Sequence, residues 1–276
     1  MKTIYLAILF ILLLSLSTTA QKVEKLWESD TVLSVPESVL FTDSVLYVSN
    51  VNGKPLEKNG KGYITKMALS GEVISLEWAT GLNAPKGMGA FGGFIFVSDI
   101  NKVVVIDIKT GSIVNTYEFK DAKFLNDITI APDGKVYISD MYENAIYIIQ
   151  EDFSKVFVKD AKLDRVNGLH WENGYLLAGT SAGVFKVDKK GKIMSSFITN
   201  TGGIDGLERI TNKQLIISDW SGKVQVISPN TEPVLLLNFE SEKYNAADLG
   251  IDKNERFIYI PTFFGNTVAA YKVVFH

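Results

Sequence analysis

Carboxylates, carboxamides, hydroxyls and lysines carry almost all the chemical potential of this 276-residue chain. It contains no cysteine and two histidines, His170 and His276. Thiolate nucleophiles, disulfides and cysteine-ligated zinc are therefore excluded together. A serine–histidine–acid triad would have to use His170, and two histidines do not make a multi-histidine metal site. Six positions stand out because each lies 12 or 13 residues ahead of a recurring small-plus-polar landmark: Glu37, Lys86, Asn126, Asn167, Asp205 and Asp248, with Ala247, one residue earlier, as the competing occupant of the last. Taken singly, Asn126 and Asp205 could open strands through Asx turns, and Asn167-Gly168 could be a hairpin turn. In matched register, four oxygen-bearing side chains suit a hard divalent cation such as Ca²⁺, which takes carboxylate and amide oxygens. A carboxylate pair with no cation would repel, and one pKa would rise. Lys86 is the odd member. It could pair with Glu37 or Asp205, hold a substrate carboxylate, or stand in for the ion.

The landmarks that set this register are Tyr47-Val48-Ser49-Asn50, Phe96-Val97-Ser98-Asp99, Tyr137-Ile138-Ser139-Asp140, Leu177-Ala178-Gly179-Thr180, Ile216-Ile217-Ser218-Asp219 and Tyr259-Ile260-Pro261-Thr262. The steps between their small residues are 49, 41, 40, 39 and 43. Each repeat holds short alternating apolar segments separated by turns such as Ala131-Pro132-Asp133-Gly134-Lys135 and Glu172-Asn173-Gly174. Proline fixes φ in the first, and glycine supplies φ > 0 in both. No 3.6-residue period persists over ten residues of the repeat region. Four strands per repeat, six times over, predict an all-β six-bladed propeller with four-stranded antiparallel blades. A linear stack would leave long strand edges open. Residues 248–275 have room for about three strands, so the alternating segment 23–28 is expected to complete the last blade.

Residues 1–20 read differently. Lys2 precedes an apolar run over residues 4–14, and Thr18-Thr19-Ala20 follows. Eleven apolar residues are too few for a spanning helix, which needs about 20. The pattern matches a cleavable export signal, leaving 21–276 as one domain with a periplasmic or secreted destination. No membrane span is expected after cleavage. The chain has 28 basic and 31 acidic side chains, net −3, with no basic run to neutralise phosphates, so nucleic acid is not an expected partner.

In a propeller the turn after each landmark returns to the mouth that the ring residues face. Those turns carry Met141, Tyr142, Trp220, Phe263 and Phe264, and the first is a long polar loop over residues 50–62. Aromatic groups there would favour a substrate with an apolar or ring portion. Lys86, Asn126, Tyr142, Trp220 and Phe263 are the expected substrate contacts. His170, three residues past Asn167, reads as structural.

The segments Pro36-Glu37-Ser38, Phe124-Leu125-Asn126-Asp127, Val166-Asn167-Gly168-Leu169 and Ile204-Asp205-Gly206 resemble those of the gluconolactonase and regucalcin (senescence marker protein) family. The resemblance spans nearly all of residues 21–276 and implies one Ca²⁺ or similar ion on Glu37, Asn167 and Asp205. It also implies that Asn126 lies beside the ion against substrate, with Asp205 as general base and Glu37 second in line. The chain departs from the family's sugar lactonases in carrying Phe124 where an arginine often stands, and in having Lys86 in the ring. The implied activity is opening of a small-molecule lactone or related ester. The alternative is a non-catalytic propeller that binds a small ligand or protein partner at the same mouth.

Overall fold

Alternating segments and turns build six sheets of four antiparallel strands each, arranged as the blades of a propeller. The computed structural model describes residues 21–42, 44–151 and 153–275, and the expected export signal over 1–20 lies outside them. From the axis outwards, the first blade comprises Pro36–Phe41, Leu46–Asn50, Gly62–Met67 and Val73–Leu82. The second comprises Pro85–Phe91, Phe94–Asp99, Lys102–Asp107 and Ile113–Glu118. The next three repeat the pattern, with innermost strands Leu125–Ile130, Leu169–Glu172 and Leu207–Arg209. The sixth runs Gly250–Asp252, Phe257–Pro261 and Val268–Val274, with Lys22–Glu28 paired antiparallel to Val268–Val274 at the outer edge.

Strand position dictates composition. Second strands such as Val136–Asp140 are buried throughout, whereas outermost strands such as Ile113–Glu118 are mostly exposed. The hairpin Glu172-Asn173-Gly174-Tyr175 shows the turn chemistry at work. Asn173 (φ 46°) and Gly174 (φ 90°) both take the left-handed conformation that a two-residue hairpin demands.

Hydrophobic side chains gather between blades rather than within them. Six clusters fill the six junctions, and one joins Leu46, Val48 and Met67 of the first blade to Tyr259, Val268 and Ala270 of the sixth. That junction makes the assembly a ring rather than a linear stack. Two hydrogen bonds tie in the N-terminal strand: Trp27 Nε1 donates to the Leu69 carbonyl at 2.9 Å, and Thr267 Oγ1 donates to Glu28 Oε1 at 2.9 Å. Among the described residues, helix is limited to three short 3₁₀ turns, and no helix is long and apolar enough to cross a membrane.

Candidate active site

The landmark residues aim the ring side chains. In blades one, three and five the landmark serine hydroxyl accepts from the N–H just after the ring residue: Ser38 N to Ser49 Oγ at 3.0 Å, Asp127 N to Ser139 Oγ at 2.9 Å, and Gly206 N to Ser218 Oγ at 2.9 Å. Ser98 and Ser218 also donate to the carbonyl of the ring residue in the following blade, Asn126 and Ala247. The landmark acid fixes the approach to the strand. Asp99 accepts from the N–H of Asn83 and Ala84, and Asp140 from those of Lys123 and Phe124. The innermost strands shift register at Glu37, Lys86 and Asn126, and such bulges re-aim side chains.

The result is a floor of Glu37, Lys86, Asn126, Asn167 and Asp205 under one cleft of about 920 Å³. All five are at least nine-tenths buried. In the sixth blade the ring position belongs to Ala247, because its carbonyl receives Ser218 Oγ just as that of Asn126 receives Ser98 Oγ. Asp248 lies one step deeper. Its N–H donates to the Glu37 carbonyl and its Oδ2 accepts from Ser38 Oγ at 2.5 Å. It borders a separate cavity of about 80 Å³ with Asp127 and Glu208. His170 also sits below the floor, its Nδ1 3.1 Å from Glu208 Oε2.

Asn167 Nδ2 donates to Asp205 Oδ1 at 2.7 Å. Three buried oxygens in this group have no hydrogen-bond partner: Glu37 Oε2, Asn126 Oδ1 and Asn167 Oδ1. Buried acceptors are normally satisfied, so a cluster of three calls for a cationic or donor ligand. Burial raises the Glu37 carboxyl well above its usual range, and the negative charges of Asp205 and Asp248 raise it further. Burial likewise brings Asp205 to about 7, against the lowering effect of the Asn167 hydrogen bond and with Asp219 adding to the rise. A hard cation fits this oxygen-only donor set. Among the described residues no three Asp, Glu or His side chains gather as a metal cluster, so an ion here would depend on the amides as well as the two carboxylates.

Lys86 spends its hydrogen bonds on backbone carbonyls rather than on either carboxylate. Its Nζ donates to the carbonyls of Ala84 (2.9 Å) and Pro55 (3.0 Å) and lies 4.6 Å from the centre of the Phe124 ring. Burial lowers its pKa to about 8, opposed by Glu37 and Asp99. The ammonium therefore straps the 51–61 loop to the channel.

That loop forms part of the cleft wall through Val51, Lys54, Pro55 and Leu56. Met141, Tyr142, Trp220 and Phe263 line the cleft as well, while Phe264 packs edge-on against Phe263. The sequence reading missed Arg165, Ser181 and Asp219, which also line it. The repeat held the signal for all three: Ser181 follows its landmark, Asp219 belongs to one, and Arg165 lies two residues before a ring residue. The position ahead of Asn126 holds Phe124, yet an arginine does reach this cleft from the adjacent blade.

No protein-family model matches this sequence, and no curated protein matches it. Solved structures do. A catalytically inactive virginiamycin B lyase from Staphylococcus aureus, solved with quinupristin, aligns with TM-score 0.64 at 14% identity over 92% of this chain and 100% of that one. A streptogramin B lyase aligns with TM-score 0.65 at 12% identity, over 92% and 98% of the two chains. A candidate gluconolactonase aligns with TM-score 0.64 at 14% identity, over 93% of each. At such identities the likeness concerns the fold, a six-bladed β-propeller.

Proposed function

We propose that this is an exported hydrolase, dependent on Ca²⁺ or a similar divalent cation, that opens a lactone or related ester at the cleft floor. One observation carries the reading: carboxylates and amides from four blades converge there, with three buried oxygens left unpartnered beside two mutually repelling carboxyls. Glu37, Asn167 and Asp205 would hold the ion. When bound, it would polarise the substrate carbonyl and offset the negative charge that develops on its oxygen.

The chain's own residues supply the rest. Asp205 Oδ1 is engaged by Asn167, so Oδ2 is the oxygen that takes a proton from water as the water oxygen adds to the carbonyl carbon. Cleavage of the ring or ester C–O bond then returns that proton to the leaving alkoxide. Asn126 Oδ1 and Nδ2, beside this point, orient the substrate. Glu37 is the second carboxylate able to accept a proton.

The test is hydrolysis of a panel of lactones and esters by the purified protein, with chelator and with added Ca²⁺. Chelator-sensitive turnover supports the reading. Ligand binding at the cleft with no turnover of any ester supports a non-catalytic propeller instead. Export rests on residues 1–20, and N-terminal sequencing of exported protein should begin at Gln21.

A further inference from the structure

We infer that the cleft is built for an ester or lactone bearing an extended acyl or aryl body, not for a compact polyol lactone. The bond to be broken rests on the hydrolase reading above; the shape and chemistry of the ligand do not. A cleft of about 920 Å³ lies at the upper end of the 300–1,000 Å³ range of small-molecule sites. It is far larger than a single sugar ring needs.

The walls are aromatic on two sides. Phe124 stacks on Tyr142 at 4.7 Å between ring centres, and Trp220 meets Phe263 edge-on, also at 4.7 Å. Leu56 adds a third apolar surface from the strapped loop. Tyr142 and Trp220 are nevertheless 53% and 49% exposed. Their backbones are pinned. The Tyr142 N–H donates to Asp140 Oδ1 at 3.0 Å, and the Trp220 carbonyl accepts from Asn245 Nδ2 at 2.7 Å. Half-exposed aromatic rings gain free energy when an apolar group covers them. Sugar hydroxyls placed against these walls would lose water without gaining partners, which is unfavourable. Polar groups converge at the floor, and Lys54, Arg165, Ser181, Asp219, Ser221 and Lys223 line the rest of the cleft. The arrangement matches an amphiphile with its reactive carbonyl down and its apolar body between the rings.

The experiment compares γ-lactones of increasing alkyl length, an aryl lactone and gluconolactone for kcat/KM. It also measures binding of the matching lactams, which resist hydrolysis, by calorimetry. Both quantities should rise about fourfold per added methylene over the first several, and the aryl lactone should exceed gluconolactone at least 100-fold. Trp220→Ala and Tyr142→Ala should each flatten that dependence while the melting temperature shows a folded protein. Turnover that is flat with chain length, or best with gluconolactone, overturns this inference and leaves the hydrolase reading standing. Lactam binding that climbs with chain length without turnover of any lactone upholds the inference and overturns the hydrolase. If no lactone is turned over and no lactam binds, both fall.

Discussion

Asn167 Nδ2 donates to Asp205 Oδ1 at 2.7 Å across the junction of blades four and five. The bond decides how both side chains face the cleft. It turns the amide nitrogen towards Asp205 and leaves Asn167 Oδ1 as an unpartnered acceptor, and it occupies one carboxylate oxygen of Asp205. Asp205→Asn keeps size and one oxygen but loses the proton acceptor. Turnover should fall by about 10²–10⁴-fold, and saturating Ca²⁺ should not restore it. Asn167→Ala removes both a ligand oxygen and the donor that orients Asp205, and should weaken Ca²⁺ binding by at least about 10–100-fold, with much of the activity recovered at high Ca²⁺. Titration calorimetry with steady-state rates distinguishes the two.

Protons and cations should compete at this floor. Burial holds Asp205 at about 7 in the folded protein, above its ordinary 3.8. Between those values the native state binds a proton that the unfolded chain has released, so stability declines as pH rises from about 4 to 7. Glu37, raised for the same reason, acts in the same sense. The Asp205 contribution is of the order of 4 kcal/mol at most. Melting curves in chelator should show this decline, and Ca²⁺ should abolish it by stabilising the ionised form. A chelated protein whose stability is unchanged or rises over this interval would contradict the assignment.

Lys86→Met removes the donors to the Ala84 and Pro55 carbonyls while preserving most of the volume. Two acceptors lose their partner, at a cost of about 1–3 kcal/mol. The 51–61 loop loses its strap, so trypsin should cut after Lys58 or Lys61 several-fold faster than in the unaltered protein. If Lys86 served instead as a stand-in for a metal ion, the variant would acquire a Ca²⁺ response absent from the parent. Proteolysis and calorimetry on the same two proteins separate these roles.

Trp27 reaches from the outer strand of the sixth blade to the first. It bonds the Leu69 carbonyl and lies within 6 Å of the Tyr259 ring centre, at 5.9 Å. Trp27→Ala should cost about 3 kcal/mol, lowering the denaturation midpoint of the whole propeller in one transition. Deleting residues 21–29 should cost more, since it also removes the strand paired with Val268–Val274.

The repeat carried by the landmark residues was enough to place blades, strand order and five of the six ring positions. A closed propeller imposes one residue offset on every blade, and that offset is written in the chain. Glu37, Asn126, Asn167 and Asp205 were legible for this reason, as were the aromatic turns at Tyr142 and Trp220. The function of the landmarks was not legible. A Ser-Asp pair at the end of a strand looks like a turn signal until its hydroxyl is seen to bond the next blade.

Three matters were decided only by tertiary structure. Ala247 or Asp248 as the sixth ring residue differed by one position, and alternation along a strand allows either until the Ser218 bond to Ala247 sets the register. Lys86 had three open roles because a long, flexible ammonium takes the acceptors within its reach. The fold of the 51–61 loop placed the Pro55 carbonyl there. Arg165 stands two residues before a ring residue, a spacing visible in the repeat, but only the fold brings its side chain to the cleft lining. Sequence by itself determined what recurs locally along the chain, a period, a strand pattern and a set of residue types. Directions of long side chains and non-repeating loops depend on contacts between distant segments, which exist only once the ring has closed.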